Sequence, residues 1–200
     1  MADPIDFYFD FSSPYGYFAS TRIEQIAARH GRRVAWRPIL LGAVFKVTGG
    51  RPLPSIPLKG DYTRRDLERT ARLLGVAFRM PSRFPVAGTA ACRAFYWVGD
   101  TDGALAKKLA QALLHAYFAE DRDISNPEVV TAVAARLGIG REALAQALEQ
   151  PAVKERLRNE VQAAIARGVF GSPYIVVDGE PFWGADRLDQ VEQWLASGGW

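Results

Sequence analysis

The sequence has almost no means of doing thiol or metal chemistry. Its 200 residues hold one cysteine, Cys92, and two histidines. A lone cysteine excludes an intramolecular disulfide and the paired-cysteine zinc spacings. It also excludes dithiol exchange, which needs a second thiol. Cys92 follows Thr89-Ala90-Ala91 in a helical pattern and reads as a small core residue. Long apolar runs are missing as well: none approaches the roughly 18–20 residues of a membrane-crossing helix. Met1-Ala2-Asp3-Pro4 has no basic region leading into an apolar stretch, so no secretory leader is expected and the expected location is cytoplasmic. Net charge is scarce too. Twenty-five basic residues against 22 acidic ones leave +3. The signs alternate, as in Arg64-Arg65-Asp66-Leu67-Glu68-Arg69, which is the pattern of a solvated helix face. Nucleic-acid binding would need a dense basic patch with stacking aromatics, and neither is present. The mild positive field favours small anions.

What the chain does have is apolar content, 48% by residue, enough for one substantial core. Residues 5–10 alternate as a strand, 14–30 carry Tyr17, Ile23, Ile26 and Ala27 near helical spacing, and 33–37 form a second strand ending at Pro38. Such a β-α-β unit implies parallel strands and a right-handed crossover. Residues 42–61 hold Gly42, Gly49, Gly50 and Gly60 with Pro52, Pro54 and Pro57, a loop by composition. From 62 to 168 the pattern is helical throughout, with Asn126-Pro127 a helix start and Gly138 a helix stop. Tyr174-Ile175-Val176-Val177 then reads as a strand, Asp178-Gly179 as a hairpin turn, and 180–183 as its partner. Pro181 places that partner at the sheet edge, and Asp186 is expected to cap a closing helix.

Two stretches carry chemistry. The first strand runs into Ser12-Ser13-Pro14-Tyr15-Gly16 and then a helix, which resembles the strand-turn-helix of a thioredoxin-type active site. Cysteines would stand at Ser13 and Gly16. The layout remains and the dithiol is gone, so the sulfur would have to come from a bound thiol. A plainer role is equally open: serines cap helix amides and proline suits the first turn. The second stretch, Gly171-Ser172-Pro173-Tyr174, leads into the third strand where such proteins carry a cis-proline. The backbone of Ser172 would then pair with an extended peptide such as glutathione. A trans proline opening a strand is the alternative.

In order along the chain, residues 7–15, Lys59-Gly60-Asp61-Tyr62 with Asp66, Val169 to Pro173, and Trp183-Gly184-Ala185-Asp186-Arg187-Leu188 resemble the 2-hydroxychromene-2-carboxylate isomerase family and, more distantly, kappa-class glutathione transferases. The resemblance implies an α/β, thioredoxin-like (DsbA-like) fold with a large all-helical domain inserted between its β-α-β and β-β-α halves. The division would be 1–41 and 169–200 for the thioredoxin-like domain and 42–168 for the loop and insert. It implies a glutathione-dependent isomerase that interconverts 2-hydroxychromene-2-carboxylate and trans-o-hydroxybenzylidenepyruvate in naphthalene breakdown, working as a homodimer without a metal. Ser13 would be the catalytic residue beside the glutathione sulfur. Lys46, Lys59, Ser172, Pro173, Ala185 and Asp186 would complete the glutathione site. Family members often have Ser or Asn where this chain has Ala185, and Asn where it has Gly50, so two polar contacts are lost. Rival readings are a kappa-like transferase or peroxidase, and a thioredoxin-like binding module without catalysis. Ser12 is expected to be a bystander, because Ser13 is the residue that aligns with the lost cysteine.

Overall fold

A computed structural model describes residues 3–200. Its centre is a four-stranded sheet in the order β2-β1-β3-β4, built from β1 (Ile5–Phe9), β2 (Val34–Pro38), β3 (Tyr174–Val177) and β4 (Glu180–Trp183). β1 pairs parallel with β2, Phe7 opposite Trp36, and antiparallel with β3, Phe7 opposite Ile175. β3 and β4 form a hairpin through Asp178 and Gly179, both at positive φ (51° and 94°), and Pro181 lies on the edge strand as expected. Every residue of β1 is buried, because helices cover both faces of an inner strand. The two-residue period sends Ile5, Phe7 and Phe9 to one face, and Phe11 continues their line beyond the strand. There Phe7 stacks on Phe9 at 5.2 Å, and Trp36 meets both rings edge-on. Tyr8 faces the other way, against Ile39, Val44 and Val169. On that face Asp6 is neutralised by Arg37 at 2.6 Å and Arg167 at 3.2 Å.

The helices that follow β1 are α1 (Pro14–Ser20) and α2 (Ile23–Arg29), where the sequence predicts one helix over 14–30. The break has a local cause. The hydroxyls of Ser20 and Thr21 donate to the carbonyls of Tyr17 and Phe18, diverting groups that would continue the ladder. The 42–61 stretch is also more ordered than its composition suggests. It holds α3 (Leu41–Thr48), a 3₁₀ turn at Leu53–Ser55, and the start of α4 (Lys59–Leu74). Averaged over about twenty residues, the glycines and prolines hide the apolar run Leu41-Gly42-Ala43-Val44-Phe45, and they fall mainly where helices end.

The insert continues through α5 (Thr89–Gly99), α6 (Gly103–Phe118), α7 (Pro127–Ala135), α8 (Arg141–Glu149) and α9 (Pro151–Ala166), and α10 (Leu188–Ser197) closes the chain. This is the thioredoxin-like frame with helices between its halves. Residues 75–88, expected to be helical, are not. Arg79 N–H donates to Phe118 O, the Phe84–Pro85 bond is cis, and Val86 N–H reaches back to Ser12 Oγ at 3.0 Å. Insert and sheet share one core: Phe95 of α5 meets Phe9 edge-on at 6.4 Å, and Tyr96 donates its hydroxyl to Pro38 O at 2.8 Å. Cys92, on the same helix, is fully buried with Sγ 3.7 Å from Ile39 O, and burial pushes its thiol well above the ordinary range.

The end of β1 is held by Asp10. Its carboxylate accepts from Ser12 N at 2.6 Å and from Leu41 N, the first residue of α3, at 2.6 Å. Its own N–H donates to Ser172 Oγ at 2.9 Å. Three separate segments therefore meet at one residue, two through its side chain and one through its backbone. Burial pushes this carboxyl up to about 6, although both backbone N–H bonds act in the opposite sense.

Two predictions follow from these contacts. A carboxyl-carbon NMR titration should place Asp10 near 6. Because the folded state then takes up its proton at higher pH than the unfolded chain, this group's contribution to stability should grow as pH falls from about 6 to about 4, and level off below. A midpoint at the ordinary aspartate value would show that the group is solvated. Asp10→Asn turns an amide NH₂ toward one of the two backbone donors, and it should lower the unfolding free energy at pH 7 by about 1–3 kcal/mol in urea melts. The second concerns the loop ahead of α4, where a Cβ at Gly60 would lie 2.5 Å from Pro54 O. Gly60→Ala should cost about 1–3 kcal/mol by overpacking; a variant as stable as wild type would mean that the 52–56 turn is not held there.

Candidate active site

The turn after β1 works as the sequence pattern implies it can. Ser13 is buried and caps α1, accepting from Gly16 N at 3.1 Å, with Pro14 in the first turn. Its hydroxyl proton goes to Ser172 O at 2.9 Å. Ser172 precedes a cis Pro173, so the two stretches singled out in the sequence meet at a hydrogen bond. The second former cysteine position is closed. A Cβ on Gly16 would stand 2.7 Å from Ser172 Oγ and 3.2 Å from Ser13 Cβ, so the Ser172 hydroxyl occupies the space that a second thiol would need.

This turn forms the floor of a cavity of about 940 Å³. One wall comes from α3 and the stretch after it, including Phe45, Leu53 and Ile56. A second comes from the non-helical stretch before α5, including Phe84, Pro85 and Val86; Phe170 and Trp183 border the third side. Mostly apolar walls with a few polar groups at the floor are the usual make-up of a small-molecule site.

Of the expected site residues, Ser13, Ser172 and Lys46 line this cavity. Lys59 is the exposed first residue of α4 and is not part of the lining, nor are Pro173, Ala185 or Asp186. Pro173 accepts from Gly184 N through its carbonyl, joining the floor to the end of β4. Ala185 and Asp186 lie in a 3₁₀ turn that packs against α1. Asp186 does not cap α10: the cap position is Arg187, no side chain bonds the first-turn amides, and the Asp186 carboxylate sits 3.2 Å from Arg187 instead. Its charge still reaches the site. Tyr15, a lining residue, donates its hydroxyl to Asp66 at 2.7 Å, and burial, that bond and the charges of Asp66 and Asp186 push its phenol far up.

Sequence reasoning missed several of these groups. Asp10 lines the cavity, and a buried acid at the end of an apolar strand leaves no signal in periodicity. Ser12, read as a bystander, lines the cavity and accepts from Val86 N across 74 residues, tying the floor to the second wall. Arg51 also lines the cavity; in the sequence it is one cation among 25. Its position beside three prolines was the available clue.

Comparison with known proteins fits this geometry. Residues 4–196 match the DSBA-like thioredoxin domain. A 2-hydroxychromene-2-carboxylate isomerase from Sphingobium xenophagum is 32% identical over 198 residues, covering 98% of this chain and 99% of that protein. A kappa 2 glutathione transferase from Caenorhabditis elegans is 28% identical over 96% of this chain and 91% of its own length. A solved 2-hydroxychromene-2-carboxylate isomerase superposes with a TM-score of 0.88 at 30% identity, covering 97% of this chain and 95% of that one. The chain belongs to the DSBA-like thioredoxin-domain family and, within it, to the group of the 2-hydroxychromene-2-carboxylate isomerases.

Proposed function

We propose that this enzyme is a glutathione-dependent isomerase that interconverts 2-hydroxychromene-2-carboxylate and trans-o-hydroxybenzylidenepyruvate. Homodimeric assembly and a cytoplasmic setting, both implied by the family resemblance, belong to the same proposal. The observation that carries it is a thioredoxin-type turn without a thiol, Ser13 at its cap, opening onto an apolar cavity. The near full-length similarity to proteins named for this reaction supports it.

The donor set suits glutathione. Ser13 offers a hydroxyl at the head of α1, Lys46 a cation for a carboxylate, and Ser172 a backbone carbonyl facing the turn. No cysteine lines the cavity to trap the tripeptide as a mixed disulfide. When bound, glutathione supplies a thiolate that adds reversibly to a conjugated double bond, which then rotates as a single bond.

The chain's own part is to make and hold that thiolate. A free thiol has a pKa of about 8.5, so little of it is ionised at neutral pH. The Ser13 hydroxyl now donates to Ser172 O. A peptide N–H pairing with that carbonyl competes for it and leaves the Ser13 proton for the sulfur. Charge-assisted donation from Ser13, with the positive end of the α1 dipole beside it, would then favour S⁻ over SH. The walls exclude water from the reacting atoms and hold a flat ring system over the floor.

Purified protein should convert 2-hydroxychromene-2-carboxylate only when glutathione is added, without consuming it. Steady loss of glutathione with substrate would instead mark a kappa-type transferase. Ser13→Ala removes one charge-assisted bond of about 1.5–3 kcal/mol, so turnover should fall by about ten- to hundredfold, with the bound thiol's pKa raised by about one to two units. Glutathione affinity should change much less. Thiolate absorbance against pH reads the shift directly. Identical titration curves and rates for wild type and Ser13→Ala would reduce Ser13 to a helix cap, whose loss costs only about 1 kcal/mol of stability.

A further inference from the structure

Three charged side chains line the cavity, and each has a different status: Asp10, Lys46 and Arg51. Asp10 is buried, and both of its oxygens already accept backbone N–H groups. It is a fastener of the floor and no counter-ion for a ligand or for a cation at the mouth. Lys46 lies in the last turn of α3, where a cation is favoured by the free carbonyls and the negative end of the helix dipole. Arg51 is held by neither a helix end nor an acid. Exposed arginines such as Arg33, Arg64, Arg65 and Arg72 lack an acid partner as well, so what sets Arg51 apart is its place in the cavity lining. Arg51 has no acidic or hydrogen-bonded side-chain partner among the described residues, and it stands exposed while lining the cavity.

The residues on either side of Arg51 are nevertheless tied. Gly50 N–H donates to Thr48 Oγ1 at 3.3 Å. On the other side, Ser55 donates both its N–H and its hydroxyl to Pro52 O, at 2.9 and 2.7 Å. The turn they close is pressed against Gly60 through Pro54 O. A free guanidinium on a braced loop, beside Phe45, Leu53, Ile56, Phe84 and Val86, describes a receptor for an anion attached to a flat apolar body. The planar guanidinium fork matches a carboxylate with two parallel hydrogen bonds, which an ammonium cannot reproduce.

We infer that Arg51 binds the substrate's carboxylate and orients an aromatic acid in this cavity, with its ring system against the apolar walls. The inference rests on the isomerase reading for the identity of that acid, and on the cavity alone for its class. Carboxylates could come from the aromatic substrate or from glutathione; Arg51 takes the former, and Lys46 remains for the latter.

The test is calorimetric binding to wild type, Arg51→Gln and Arg51→Lys, using 1-naphthoate, its uncharged amide 1-naphthamide, and glutathione as separate probes. Arg51→Gln should weaken 1-naphthoate by about ten- to hundredfold, the loss of a charge-assisted pair. It should leave 1-naphthamide and glutathione within about twofold, because the amide brings no charge to position 51 and the carboxylate of glutathione is left to Lys46. Arg51→Lys should recover part of the acid's affinity. Equal 1-naphthoate binding in wild type and Arg51→Gln overturns the inference. So does a wild type that fails to bind the acid or does not prefer it to the amide, or a loss that falls on glutathione instead. Absence of 2-hydroxychromene-2-carboxylate turnover by wild type would sink the isomerase reading alone, because the binding ratios are read without catalysis.

Discussion

The site depends on one buried carboxylate. Asp10 joins the end of β1, the turn after it, the start of α3 and, through its own N–H, the Ser172 hydroxyl. Taking a carboxylate out of water costs several kcal/mol, and such a group persists only where its oxygens find donors. Here both do, and the donors are backbone amides from two different elements. Without that acceptor the Leu41 N–H at the head of α3 would lose its protein partner, and the α3 wall its hydrogen bond to the floor. The result is a fixed angle between the turn that carries Ser13 and the helix that carries Lys46. Apolar packing alone would not set that angle so narrowly, because dispersion contacts are non-directional.

From that frame, the exchange of cysteines for Ser13 and Gly16 is more than a loss. Glycine at the second position lets Ser172 Oγ fill the gap, where it accepts from Asp10 N. Ser13 in turn donates to Ser172 O. The two serines thus bind β1, the α1 cap and the start of β3 into one polar network. A thiol at position 16 would have to displace the Ser172 hydroxyl and leave Asp10 N–H unpaired, a penalty of about 1–3 kcal/mol for a buried donor. The floor is consequently built around the absence of a dithiol, and the chain's one thiol, on Cys92, is buried on α5 with its ionisation suppressed. The scaffold carries a hydroxyl at the head of α1, and with one cysteine in the chain it cannot perform dithiol exchange on its own.

Much of this was legible in the sequence. The parallel β-α-β unit, the β3–β4 hairpin and the edge position of Pro181 followed from apolar alternation and turn residues, and the two stretches that the thioredoxin-type resemblance paired do meet, at the Ser13–Ser172 hydrogen bond. These signals are local, because strand period, caps and turns are written in neighbouring residues. The misses were of another kind. The break at Thr21 depends on where two hydroxyls turn, and α3 was diluted by the glycines and prolines around it. Asp10 and Ser12 look like ordinary polar residues at a strand end. Their importance lies in partners 31 and 74 residues away, which no local pattern records. Asp186, expected to cap the closing helix, lies against Arg187 instead.

Floor and walls of the cavity come from different parts of the chain, and this division has a chemical consequence. The floor is the strand-turn-helix frame, fixed by Asp10 and the two serines. The walls come from the α3 region and the stretch before α5, which are attached to the floor by two backbone hydrogen bonds, to Asp10 and to Ser12. Side chains on those walls, Phe45, Arg51, Leu53 and Phe84 among them, contribute nothing to either attachment. They can therefore change without disturbing the two hydrogen bonds that hold the walls to the floor. On this architecture the lining of the cavity is separable from its frame, because directional hydrogen bonds hold the frame while side chains that take no part in them make up much of the lining.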